Sequence, residues 1–259
     1  MFVNDRRNYI KKLLLQNKRI DVLRISSQLG VSEVTIRKDL DYLEKTGFLI
    51  RTHGGAVLNE APSPSVMQSD SSIPQNLLSI SNITSCLIND GELIYLGTDT
   101  ICTSIASQLL KKKYLTVVTN NLTASVLLSD SAEIKVIVPG GTIYKEQDNR
   151  ILKGAETQSF LQRINYDKVI LGADAVKFNT GFCLRDSDIC NIYDAVLQQA
   201  DQKIIAVNSD CFNKNAFYQF CNLETIDVIV SDERMPEEYI GYFSEHSIKV
   251  FTTYDLRTT

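Results

Sequence analysis

From Leu93 to Phe251 the chain alternates short β-branched runs with amphipathic stretches, and few folds accept that pattern. The runs are Leu93–Gly97, Leu115–Thr119, Ile134–Val138, Lys168–Gly172, Lys203–Val207, Asp227–Val230 and Ile248–Phe251. Most lack in–out alternation, as expected of strands covered on both faces. Helices are predicted between them over Leu77–Ile88, Ile101–Lys112, Leu122–Ser129, Glu156–Arg163 and Ile189–Ala200. Strands that alternate with helices make βαβ units and a mainly parallel sheet.

The first 58 residues read differently. Ile10, Leu13 and Leu14 mark a helix from Asp5 to Gln16. Asp21 is placed to cap a second helix carrying Val22, Ile25 and Leu29, which Gly30 breaks. Ser32 caps a third, with Ile36, Leu40 and Leu43 on one face. Gly47 ends that helix, and Phe48–Thr52 with Gly54–Val57 reads as two strands around a glycine turn. Residues 59–75 hold Pro62, Pro64, Pro74 and five serines without periodicity, which is linker composition. The expected domains are therefore 1–58, a linker 59–75, and 76–259.

Charge divides along the same line. Through Leu58 there are 11 Lys/Arg against 6 Asp/Glu, a surplus of five positive charges. The remainder has 16 against 25, a surplus of nine negative charges. Only the small piece is suited to a polyanion. The six cysteines form no Cys-x-x-Cys pair, and only two histidines accompany them, so reduced, mostly buried thiols are expected and no metal site. Cys86 and Cys102 lie in apolar stretches, where a free thiol packs as a small hydrophobe. No apolar run reaches the roughly 20 residues that span a bilayer. Met1–Arg7 shows no apolar segment behind a basic one, so a cytoplasmic protein without a membrane partner is expected.

A helix, a short turn and a second helix give helix-turn-helix geometry, in which the second helix enters the major groove of double-stranded DNA. With Ile36, Leu40 and Leu43 inward, Val34, Lys38, Asp41 and Lys45 face out, flanked by Thr35, Arg37 and Tyr42. Ser32, Val34, Thr35, Arg37 and Lys38 are the candidate DNA contacts, with Arg51 and His53 on the hairpin as a wing. Charge and periodicity alone fit a merely solvated helix face equally well. The longer pattern decides between them. Val31-Ser32-Glu33-Val34-Thr35-Ile36-Arg37-Lys38-Asp39-Leu40, closing with Arg51-Thr52-His53-Gly54-Gly55-Ala56, resembles the DNA-binding signature of the DeoR family of bacterial regulators. Lys38 stands where that family usually has a second Arg, which keeps the charge and loses the bidentate fork.

In the larger piece, polar glycine-bearing turns follow the predicted strands: Gly97-Thr98-Asp99-Thr100, Asn120-Asn121, Gly140-Gly141 and Gly172-Ala173-Asp174. Each alone is an ordinary strand–helix turn. Four together at the carboxyl ends of strands favour a ligand crevice, and a Gly-Thr turn opening a helix offers N–H groups to an anion. The resemblance to the DeoR family extends over this region. It implies an effector domain related to ribose-5-phosphate isomerase, a small-molecule effector such as a phosphorylated sugar, and a site lined by Gly97, Thr98, Thr100, Asn120, Gly141 and Asp174. Asp99 joins that set as a departure, standing where the family has Thr. Tyr95 replaces an Asp, Cys211 a Lys, and Ile189 and Tyr193 the Glu and Lys of a helix. An added carboxylate and lost ammonium groups disfavour a dianionic phosphate.

The expected fold class is α/β, a small winged helix-turn-helix domain followed by a larger, mainly parallel Rossmann-like domain. The expected function is a DNA-binding transcriptional regulator, a repressor of carbohydrate-metabolism genes acting as a homo-oligomer without a cofactor. The alternative is a sugar-phosphate isomerase fused to a DNA-binding module. Gly172-Ala173-Asp174-Ala175-Val176 resembles the isomerase Gly-Ala-Asp-Glu-Val, but Ala175 cannot serve as the base that proton transfer requires. A third reading is a DNA-binding scaffold with no effector.

Overall fold

The computed structural model describes residues 3–45, 49–52, 54–58, 75–146 and 148–252. The chain divides into two compact units, Met1–Asp70 and Ser71–Thr259. The first contains α1 (Val3–Asn17), β1 (Arg19–Asp21), α2 (Val22–Leu29), α3 (Glu33–Lys45), β2 (Leu49–Thr52) and β3 (Gly55–Leu58). Asp21 caps α2, its Oδ1 accepting from the Arg24 amide at 3.1 Å. Gly30 ends it in the left-handed conformation at φ 63°, where any other residue is strained. Ile10, Leu14, Ile36, Leu40 and Leu43 are wholly buried in one core with Leu49 and Ala56. Burying each Leu or Ile contributes about 1.5–3 kcal/mol, which is what holds α3 in the unit. The hairpin β2–β3 gains a third strand, β1, giving the order β1-β3-β2. A Cβ at Gly55 would strike the Ile20 carbonyl, so this pairing needs glycine there. The predicted helix stop Gly47, the wing residue His53 and the predicted linker, save Gln75 at its end, lie outside the described residues.

The second unit runs α4 (Gln75–Cys86), β4 (Leu93–Leu96), α5 (Thr100–Leu109), β5 (Leu115–Val118), α6 (Leu122–Ser129) and β6 (Ile134–Ile137). There follow β7 (Thr142–Glu146), β8 (Asn149–Lys153), α7 (Ala155–Leu161), β9 (Tyr166–Leu171), β10 (Ala175–Lys177) and β11 (Gly181–Leu184). It ends with α8 (Ser187–Leu197), β12 (Ala200–Ala206), β13 (Tyr218–Cys221), β14 (Val228–Ser231), α9 (Glu237–Glu245) and β15 (Lys249–Thr252).

The seven runs read from the sequence are the seven strands of one sheet, ordered β15-β14-β12-β9-β4-β5-β6, with every pairing parallel. The chain starts at the centre with β4, lays β5 and β6 to one side, then β9, β12, β14 and β15 to the other. This is the Rossmann order, and its direction reverses between β4 and β9. Successive strand residues feed opposite cores. Tyr95, Val169, Leu171, Ile205 and Ile229 pack with α8 and α9, whereas Ile94, Leu96, Ile170, Ile204 and Val230 pack with α4 and α5. That two-sided burial is why these strands carried no alternation. Two antiparallel additions, the hairpin β7–β8 and the sheet β10-β11-β13, complete the unit. All six cysteines are free thiols, but Cys86 is exposed rather than buried, because it ends α4 beyond the apolar stripe.

Candidate DNA interface and effector site

Helix α3 is held by its apolar face, which turns Val34 and Lys38 into solvent; Val34 is 63% exposed. The Ser32 hydroxyl lies 2.9 Å from that of Thr35 and accepts from the Thr35 amide at 3.3 Å, so both hydroxyls sit at the start of the helix. Arg37 donates to Glu33 one turn back at 3.1 Å. Both groups are about half exposed, and a pair of that kind contributes less than about 1 kcal/mol, so Arg37 exchanges readily to another anion. Arg51 on β2 forms an ion pair with Asp41, and its amide donates to Glu44 at 2.9 Å. The wing arginine is thus carried by α3 itself.

Asp39 is the residue that sequence reasoning missed here. It is buried between α1 and α3 and accepts from Arg6 Nε at 2.5 Å and Arg7 Nε at 3.0 Å. The Arg7 guanidinium also lies over the Tyr42 ring, 3.7 Å from its centroid. A buried carboxylate needs such partners. The available signal was its place beside Leu40, three residues after Ile36 and therefore on the flank of the buried stripe.

In the larger unit the structure brings Gly97, Thr98, Asp99 and Asn120 to one place, the carboxyl ends of β4 and β5. Their polar groups are already engaged. The Thr98 amide donates to the Tyr193 hydroxyl at 2.9 Å. The Thr98 carbonyl accepts from Asn121 Nδ2 at 3.2 Å and Asn149 Nδ2 at 3.0 Å. Asn120 accepts from the Tyr95 hydroxyl at 2.6 Å and donates to the Leu152 carbonyl at 2.8 Å. Asp99 caps α5, its Oδ1 accepting from the Cys102 amide at 2.9 Å. Its carboxylate fills the switch point so closely that a Cβ at Gly172 would collide with it.

Desolvation there outweighs those hydrogen bonds and raises the Asp99 carboxyl above the ordinary range. Burial also pushes the Tyr95 and Tyr193 phenols well up, so both are neutral hydroxyls at neutral pH. The Cys211 thiol is pushed up to about 11, by burial first and then by the charges of Asp174 and Asp99.

The other implied site residues serve the framework. The Asp174 carboxylate accepts from the Arg185 amide at 2.8 Å. Gly141 has φ 147° and packs against Thr157 and the Lys153 carbonyl. Thr100 is exposed at the first position of α5. Lys153 is a second group the sequence did not disclose. It is buried at the end of β8 and paired with Asp186, at 2.6 Å, and with Glu146.

A three-helix unit with a wing, followed by a Rossmann-order domain whose polar turns meet at the switch point, defines a ligand-sensing regulator of the helix-turn-helix class. Residues 6–61 match the DeoR-like helix-turn-helix domain, and residues 78–233 match the DeoR C-terminal sensor domain. The chain belongs to the DeoR family of transcriptional regulators. It is 27% identical over 260 residues to the HTH-type transcriptional repressor GlcR of Bacillus subtilis (strain 168), covering 98% of this chain and 97% of that one. It is 29% identical over 233 residues to the lactose phosphotransferase system repressor of Lactococcus lactis subsp. lactis, covering 88% and 90%. The glycerol-3-phosphate regulon repressor of Haemophilus influenzae (strain ATCC 51907 / DSM 11121 / KW20 / Rd) is 25% identical over 251 residues, covering 95% of each chain. Among the described residues no helix is long and apolar enough to cross a membrane.

Proposed function

We propose that this chain represses carbohydrate-metabolism genes by binding an operator as a cytoplasmic homo-oligomer. Residues 1–58 make the DNA contact and 59–75 link them to the sensor domain, 76–259. Ser32, Val34, Thr35, Arg37 and Lys38 meet the major groove, with Arg51 and His53 on the wing. The observation that carries this reading is α3 itself: its buried stripe fixes which residues face out, and those include a guanidinium held only by an exchangeable surface pair. One winged helix gives a small interface, so tight binding needs at least two copies. The effector is a small metabolite received at the strand edge, where Gly97, Thr98, Asp99, Thr100, Asn120, Gly141 and Asp174 are the assigned residues. An isomerase role is disfavoured because Ala175 presents a methyl group where that chemistry needs a base.

The test is an operator titration across a salt series, run with light scattering on the same samples. Arg37→Ala and Lys38→Ala should each weaken binding and shallow the log–log salt slope by about one unit. Wild-type behaviour in both variants refutes the recognition-helix assignment, and a monomer on and off DNA refutes the oligomer.

A further inference from the structure

We propose that two of the chain's own side chains occupy the anion position at the switch point, which closes this sensor domain to phosphorylated effectors. Asp99 is the resident anion and Tyr193 the resident hydroxyl. The inference rests on the assignment of the strand edge as the effector site.

A phosphate ester at a strand-to-helix turn is held by unpaired amides of the turn and the first helical residues. Here two of those amides, at Thr98 and Cys102, have acceptors. Thr98 N–H gives its hydrogen bond to Tyr193 Oη at 2.9 Å, and Cys102 N–H gives its own to Asp99 Oδ1 at 2.9 Å. Asp99 Oδ2 accepts from the Cys102 thiol at 3.4 Å and abuts Gly172 just after the neighbouring strand β9, so the carboxylate bridges the gap in which a ligand would lie. Neither group is free to withdraw. Asp99 is the N-cap of α5. Tyr193 is buried, with its ring edge-on to Tyr95 at 6.4 Å and to Phe220 at 5.4 Å. A close-packed ring of this kind has no second place to go. An incoming phosphate would have to displace a phenol from its amide and lie beside a carboxylate. The ammonium of Lys153, buried at the end of β8, is already paired with Asp186 and Glu146.

The experiment is isothermal calorimetry on the full-length protein with ribose 5-phosphate, glucose 6-phosphate and inorganic phosphate as probes. Operator affinity is read alongside. Wild type should bind none of them and should hold operator equally with and without them. The double variant Asp99→Thr/Tyr193→Phe should gain at least about tenfold in affinity for the esters, since it removes both the like charge and the competing acceptor. A folded double variant that still binds nothing overturns the proposal. If that variant does not fold, Asp99→Asn, which keeps a capping side chain, should show the same gain in smaller measure, and no gain overturns the proposal. Ester binding by wild type also overturns it. Where Asp99→Asn alters that binding, only the closure fails; where it leaves the binding untouched, the placement of the site fails too.

Discussion

The two units handle charge in opposite ways. In the DNA-binding unit Arg37 pairs at the surface with Glu33 and stays available, while the buried carboxylate, Asp39, holds two arginines and shapes the scaffold. In the sensor unit the polar groups at the switch point are turned inward and answered by the chain itself. An interface for a polyanion needs exchangeable cations. A phosphate pocket needs unsatisfied backbone amides, and Thr98 gives its own to Tyr193 while its carbonyl is taken by Asn121 and Asn149. The resemblance to the family pattern holds along α3 save at Lys38 and departs more widely at the strand edge, at Tyr95, Asp99 and Cys211.

Three substitutions sharpen that contrast. Asp39→Ala should have the largest effect. It strands the buried Arg6, at about 3–5 kcal/mol, and unfolds the DNA-binding unit before the sensor unit. Thermal unfolding followed by far-UV dichroism should then split into two steps, and a single unchanged transition would show that the clamp is dispensable.

Asp99→Asn should act in the other direction. A carboxyl whose folded pKa is raised contributes stability below its unfolded value, 3.8, and loses it as pH rises through the folded value. As pH rises the wild type is therefore driven toward a charged form that burial disfavours, whereas Asn stays neutral and caps a helix as well as Asp does. The variant should melt higher than wild type at pH 7, with the gap closing as pH falls toward 4. A gap that widens on acidification would mean that Asp99 is stabilised as an anion.

Glu33→Gln should have the smallest effect. It frees Arg37 from a surface pair and should tighten operator binding by less than about 1 kcal/mol, most visibly at low salt. A clear loss of affinity would instead make Glu33 part of the recognition surface.

How much of this was legible follows from range. The runs Leu115–Thr119 and Lys203–Val207 announced central strands because two-sided burial writes itself into consecutive residues. The hairpin β7–β8 did not. Ile143 and Tyr144 of β7 are exposed, and only Ile151 and Leu152 of β8 are buried apolar residues, too short a signal to mark a strand. Strand β1 is three residues long, and α9 shows only Tyr239 and Phe243 as its buried signal. That Gly97, Thr98 and Asn120 come together at the strand edge was legible because turns after strands are a local pattern. The contact that decides what they do comes from Tyr193, 95 residues further along, and no local spacing encodes it.

The two-faced sheet gives that last contact a mechanical meaning. Helix α5 packs on one face and α8 on the other. The hydrogen bond from Thr98 to Tyr193 passes around the sheet's edge from one layer to the other, as a rivet joins two plates. Layers joined in that way resist sliding past each other.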